Sequence, residues 1–83
     1  MSLKIVSPES LGQALRAERK KKGLTQKSVG TSVGIEQHTI SKIENGNPGA
    51  ELGTLFRVLA ALDLELVVLP RIKPMDKSKG DVW

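Results

Sequence analysis

The chain has 83 residues, enough for one small domain whose modest core would gain from oligomerisation. It contains no cysteine, which excludes a disulfide scaffold and a cysteine-based zinc site and fits a reducing cytoplasm. A net charge of +4 and a pI of about 9.7 favour polyanionic partners, nucleic acid first. The opening decapeptide MSLKIVSPES lacks the long apolar core of a signal peptide. No apolar run, including the one near residues 64–69, approaches the ~20 residues a membrane helix needs.

A first helix is predicted from Ser7-Pro8-Glu9-Ser10, with Ser7 as cap, Pro8 at the first helical position and Glu9 against the positive helix end. Leu11, Ala14 and Leu15 repeat at helical spacing, and Arg16, Arg19, Lys20, Lys21 and Lys22 crowd its negative end before Gly23 stops it. Thr25 caps a second helix, with Leu24 ahead of the cap as a staple and Val29 and Val33 facing a core. Gly34 ends that helix and Ile35 anchors the turn. A third helix runs from about Glu36 or Gln37 to Asn45, with Ile40 and Ile43 inward, and Gly46 stops it. Asn47-Pro48-Gly49 is a loop.

A fourth helix spans about residues 51–62, with Leu52, Leu55, Phe56, Leu59 and Leu62 at core spacing. Residues 64–69 are short, branched and bounded by Asp63 and Pro70, which predicts a strand. The remainder, to Trp83, is polar until Val82 and reads as a disordered tail with an apolar tip. Residues 1–69 thus form the expected domain and residues 70–83 a flexible extension.

Function concentrates in LTQKSVGTSVGIEQHTISKIENG, two short helices meeting at a tight turn around Gly34. Leu24, Val29, Val33, Ile35, Ile40 and Ile43 pin the angle, and the small Gly30 lets the helices approach. Outward on the third helix are Gln37, His38, Thr39, Ser41 and Lys42, donors and acceptors suited to base edges in a major groove. Gln pairs bidentately with adenine, Lys reaches guanine or phosphate, and Ser or Thr bonds either. Thr25, Gln26 and Lys27, at the positive start of the second helix, form an expected phosphate clamp.

This segment resembles the Cro/C1-type helix-turn-helix family, through Thr25-Gln26, Val33-Gly34-Ile35, Thr39-Ile40-Ser41 and Ile43-Glu44-Asn45-Gly46, and the likeness extends over about residues 8–64. Glu36 departs from the Ser or Asp cap commoner there. Gly30 replaces a commoner alanine, at about 1 kcal/mol of helix stability. Short leader, four helices, one strand and a tail ending in Trp83 together resemble the HipB-like antitoxins. The fold implied is all-α, a four-to-five-helix domain with one short C-terminal β-strand pairing across a dimer. The resemblance further implies a homodimer on palindromic double-stranded operator DNA that also binds and inhibits a HipA-like kinase toxin and represses its own operon. Such a protein is cytoplasmic, lies on the nucleoid when bound to its operator, and takes no cofactor. Trp83 would be the toxin anchor.

Plainer readings stand beside these. His38 is the lone histidine and cannot build a catalytic or metal site without partners, so no enzyme is expected. The basic run of residues 16–22 is a solvated face or a phosphate contact. Glu44 is structural, paired with Arg16 or Arg19. Gly46, Gly49 and Gly53 lack phosphate-loop spacing. The strand leaves its backbone groups unpaired unless residues 3–6 pair with it in the same subunit or a second copy pairs across a two-fold axis. On the second alternative Leu64, Leu66, Val67, Val68 and Leu69 form the dimer interface. Trp83 is either a frayed terminus or a partner anchor. The rivals in function are a stand-alone Cro/C1-type repressor and a non-DNA adaptor on the same fold.

Overall fold

The computed structural model describes residues 4–71, so the tail carrying Trp83 and the residue Leu3 lie outside the described residues. Four helices follow in order: α1 (Pro8–Lys21), α2 (Gln26–Val33), α3 (Gln37–Glu44) and α4 (Leu52–Ala61). All four match the expected elements to within two residues at each end.

The helix starts differ in how well they are closed. At α1, Ser7 Oγ accepts from the Ser10 amide and Ser10 Oγ from the Ser7 amide, both at 3.0 Å. Thr25 and Ser28 repeat this reciprocal box at α2, again at 3.0 Å each. Each box satisfies two amides that the helix cannot. Glu36 and Glu51, at α3 and α4, make no side-chain cap bond. A carboxylate one methylene longer than Asp overshoots the amides it would have to reach.

The core gathers Leu15 from α1, Val29 from α2, Ile35 from the turn, Ile40 and Ile43 from α3, and Val58, Leu59 and Leu62 from α4. Leu11, Leu24, Val33, Leu55 and Leu64 pack at its margin. Leu15, Ile40 and Leu62 are the largest side chains fully withdrawn from water. Each contributes about 1.5–3 kcal/mol of hydrophobic stabilisation. α1 and α3 meet backbone to backbone at Gly12, where a Cβ would lie 2.5 Å from the Ile43 carbonyl oxygen and 2.6 Å from that of Glu44. No helix among the described residues is long and apolar enough to cross a membrane.

α4 corrects one expectation. Leu55, Val58, Leu59 and Leu62 face the core, but Leu52 is exposed and Phe56 is 50% exposed. On a helical wheel the outward pair lies on the flank of the buried stripe, so the apolar arc is wider than one neighbouring layer can cover.

The strand expected at residues 64–69 is absent, as is any strand among the described residues. The chain after α4 first closes the helix end. Asp63 adopts a left-handed conformation, φ 59°, its amide donates to Ala60 O at 3.1 Å, and the Leu64 amide donates to Leu59 O at 2.9 Å. These two bonds are a Schellman closure, and Leu64 completes it by packing on the core. Leu64 therefore caps α4 on its own subunit. Leu66, Val67, Val68 and Leu69 are exposed, Val68 at 96%. Residues 4–6 form no ladder with them, so pairing within one subunit is not formed over the described residues. A lone extended segment has no ladder until a second strand supplies the other half of its bonds.

Candidate nucleic-acid interface

The turn between α2 and α3 is built from three small adjustments. Gly34 takes a left-handed conformation (φ 71°, ψ 34°), which lets the chain reverse without a side-chain clash. The Ile35 amide then donates to Gly30 O at 2.8 Å while the Ile35 side chain plugs the core. Gly30 is buried beneath this turn, and a Cβ there would sit 2.2 Å from the Ile35 carbonyl oxygen. The glycine thus trades helix propensity for closeness, as its position between the helices suggests.

A further brace comes from α4. Arg57 Nη2 donates to the carbonyl oxygens of Val33 and Gly34, the latter at 3.3 Å. These acceptors are released at the C-terminus of α2, where carbonyls lack helical partners. The periodicity of α4 marks Arg57 only as a surface residue, so its role has no sequence signal of its own.

Beneath α3 lies a buried ion pair. Arg19 Nε donates to Glu44 Oε2 at 2.6 Å and Nη2 to Oε1 at 2.9 Å, while Nη1 donates to Leu24 O at 2.8 Å. One guanidinium thereby ties α1 to the end of α3 and to the start of α2. Of the two expected partners for Glu44, Arg19 makes the contact. Burial pushes the Glu44 carboxyl up, but the bonds from Arg19 and Gln26 and the charges of Arg19 and Arg16 outweigh it and hold it below its ordinary range. The hydrogen bond to Glu44 likewise raises Arg19. Arg19 is accordingly spent inside and unavailable to phosphate.

The eight expected DNA-binding residues divide into two groups. Lys27 on α2 and Gln37, His38 and Lys42 on α3 are exposed, Thr39 and Ser41 are half-buried, and Ile40, Ile43 and Glu44 are the buried residues of α3. Thr39 and Lys42 also border a shallow groove with Asn47, Ala50 and Thr54. Thr25 is exposed but its hydroxyl is committed to the Ser28 amide. Gln26 is half-buried: its Nε2 donates to Glu44 Oε1 at 3.1 Å, and its Oε1 accepts from Gln37 Nε2 at 3.4 Å. Gln26 therefore belongs to the support beneath Gln37. Among the described residues no cluster of histidine and carboxylates could hold a metal ion.

Two capped or braced helices at a fixed angle, with a polar, nearly uncharged outer face on the second, define a helix-turn-helix of the kind that enters a major groove. A family model described as helix-turn-helix matches residues 15–69, and the chain belongs to the Cro/C1-type helix-turn-helix family. It is 37% identical over 65 residues to the antitoxin HipB of Escherichia coli (strain K12), covering 78% of this chain and 74% of that protein. An uncharacterised HTH-type transcriptional regulator, y4dL, of Sinorhizobium fredii is 40% identical over 63 residues, covering 76% of this chain and 32% of its own. In a solved HipA-HipB-O2-O3 complex, one chain superposes with a TM-score of 0.78 at 35% identity, covering 83% of this chain and 97% of the matched one. These relatives are DNA-binding antitoxins and regulators, not enzymes.

Proposed function

We propose that this chain is a homodimeric antitoxin that represses its own operon on palindromic operator DNA and inhibits a HipA-like kinase toxin. The observation that carries this is the likeness to HipB over most of the chain, in a fold whose third helix presents Gln37, His38, Thr39, Ser41 and Lys42 outward. HipB is found in a HipA-HipB-O2-O3 complex, and such complexes of HipA, HipB and DNA support an antitoxin that binds DNA. The protein would work in the cytoplasm, on the nucleoid when bound to its operator.

The geometry supports the following division of roles. Lys27 and the α2 amides take phosphate, and the α3 residues take base edges. Two copies join through Leu66, Val67, Val68 and Leu69, extended by the exposed Leu52 and Phe56. Residues 1–69 carry reading and pairing, and residues 70–83 carry Trp83 to the toxin. The second reading is a repressor without a toxin, and it is the one that the 40% identity to an HTH-type transcriptional regulator leaves open.

One experiment separates them. The operator is selected from random duplexes, and a HipA-like kinase is titrated calorimetrically with the parent and with Trp83→Ala. Operator binding unaffected by Trp83→Ala, with toxin affinity reduced by a few kcal/mol, supports the antitoxin. Operator binding with no kinase affinity in the parent leaves the lone repressor.

A further inference from the structure

We infer that Glu44, buried behind the reading helix, sets which base Gln37 recognises by fixing the direction of the Gln26 amide between them. This rests on α3 being the helix that reads DNA. A carboxylate accepts hydrogen bonds and cannot donate them. Glu44 Oε1 and Oε2 are held by Arg19 at 2.9 and 2.6 Å, so Glu44 cannot turn away. Gln26 lies 3.1 Å from Oε1 and must offer its NH2 end. Its carbonyl end therefore faces outward, and Gln37 must in turn offer it an N–H, at 3.4 Å.

The consequence is a fixed recognition edge. With one N–H of Gln37 engaged by Gln26, its Oε1 and its second N–H remain side by side. That acceptor–donor pair complements adenine, whose major-groove edge carries an acceptor at N7 and a donor at N6. With the chain of amides reversed, Gln26 would offer its NH2 to Gln37, and Gln37 would turn its carbonyl inward. Only donors would then face the groove, and two acceptors, N7 and O6 of guanine, would fit them. Glu44 is within bonding distance of Gln26 but buried, with a side chain only 4% exposed, so it acts as a positioning residue and touches no base.

The test is the base preference at the single operator position facing Gln37, measured with duplexes carrying each base in turn. The parent is expected to favour adenine over guanine about 5- to 100-fold. In Glu44→Gln, Arg19 still requires an acceptor, so the new amide turns its carbonyl to Arg19 and its NH2 to Gln26. The relay reverses, and the preference shifts toward guanine at least tenfold relative to the parent. In Gln26→Leu the ion pair stays and the relay is cut, so Gln37 turns freely and the preference falls below about threefold. A core brace without this role would weaken binding to all four duplexes equally.

Gln37→Ala separates the two levels of the inference. If Gln37→Ala loses the preference while Glu44→Gln and Gln26→Leu keep the parent's, Gln37 reads but Glu44 does not direct it. If Gln37→Ala itself keeps the preference, α3 is not read at this position and the underlying reading fails. Circular dichroism confirms that each variant is folded. Should Glu44→Gln not fold, Gln26→Leu decides, and an undiminished adenine preference there overturns the inference.

Discussion

In α1, α2 and α3 the polar groups near the core are answered within the chain. Ser7 and Thr25 close helix starts, and Arg19 meets Glu44, Leu24 O and, through Glu44, Gln26. In α4 and the residues after it the position is reversed. Leu52, Phe56, Leu66, Val67, Val68 and Leu69 stand exposed although their own side chains are wholly apolar. The first region has a single chain as its complete unit. The second has the composition of a core and only half of one, which exposed apolar side chains gathered on a small domain ordinarily signal.

The largest expected effect tests the first region. Glu44→Ala leaves the Arg19 charge buried without its partner, so unfolding should become easier by about 3–5 kcal/mol in thermal or urea melts. A loss below about 1 kcal/mol would mean that the pair does not lock α1 to α3. The same carboxylate gives an acid signature. Its folded pKa lies below the ordinary value of 4.5, so its contribution is full above about pH 4.5 and fades as pH falls through the depressed folded value. The parent should lose stability over that acid range, and Glu44→Gln should lack this component.

Next in size is the second region. Leu66→Asp puts a carboxylate where two copies would meet and should raise the dimer dissociation constant at least a hundredfold, about 3 kcal/mol, as read by sedimentation. Thermal unfolding of the helices at fixed monomer state should hardly change, because Leu66 is outside the core cluster. A dimer persisting undiminished at micromolar concentration would place the interface elsewhere.

Gly12→Ala should destabilise by about 1–3 kcal/mol, since its methyl meets two backbone carbonyls that only a separation of α1 from α3 can relieve. Smallest of all, Glu36→Ser should gain about 0.5–1 kcal/mol by supplying the cap that α3 lacks, seen as a rise in melting temperature. No gain would show that the α3 amides are already satisfied in another way.

The helices were legible because their punctuation is local. Ser7, Thr25, Gly23, Gly34 and Gly46 act on the few residues beside them, and the apolar spacing between fixes the inward faces. The turn and the outward residues of α3 follow from the same signals. What could not be read depended on groups distant in the chain. The inward turn of Gln26 requires Glu44, 18 residues on, and Arg57 finds its acceptors 23 and 24 residues earlier. The flank position of Leu52 and Phe56 depends on how α4 is rotated against α2. Residues 66–69 have strand composition, but composition cannot supply the second strand.

Arg57 has one more consequence. It stands on α4, beside the surface through which two copies would join, and it grips the carbonyls from which α3 departs. In a dimer this grip makes the two reading helices prongs of one caliper, with little play at the hinge. Their separation, about 34 Å in a symmetric complex, is then a property of the protein rather than of the DNA. Five extra base pairs between the half-sites would turn one of them to the far side of the duplex, and such a caliper could not follow. Arg57→Ala would loosen the prongs, and the variant should lose affinity for the correctly spaced operator while discriminating less between spacings one base pair apart.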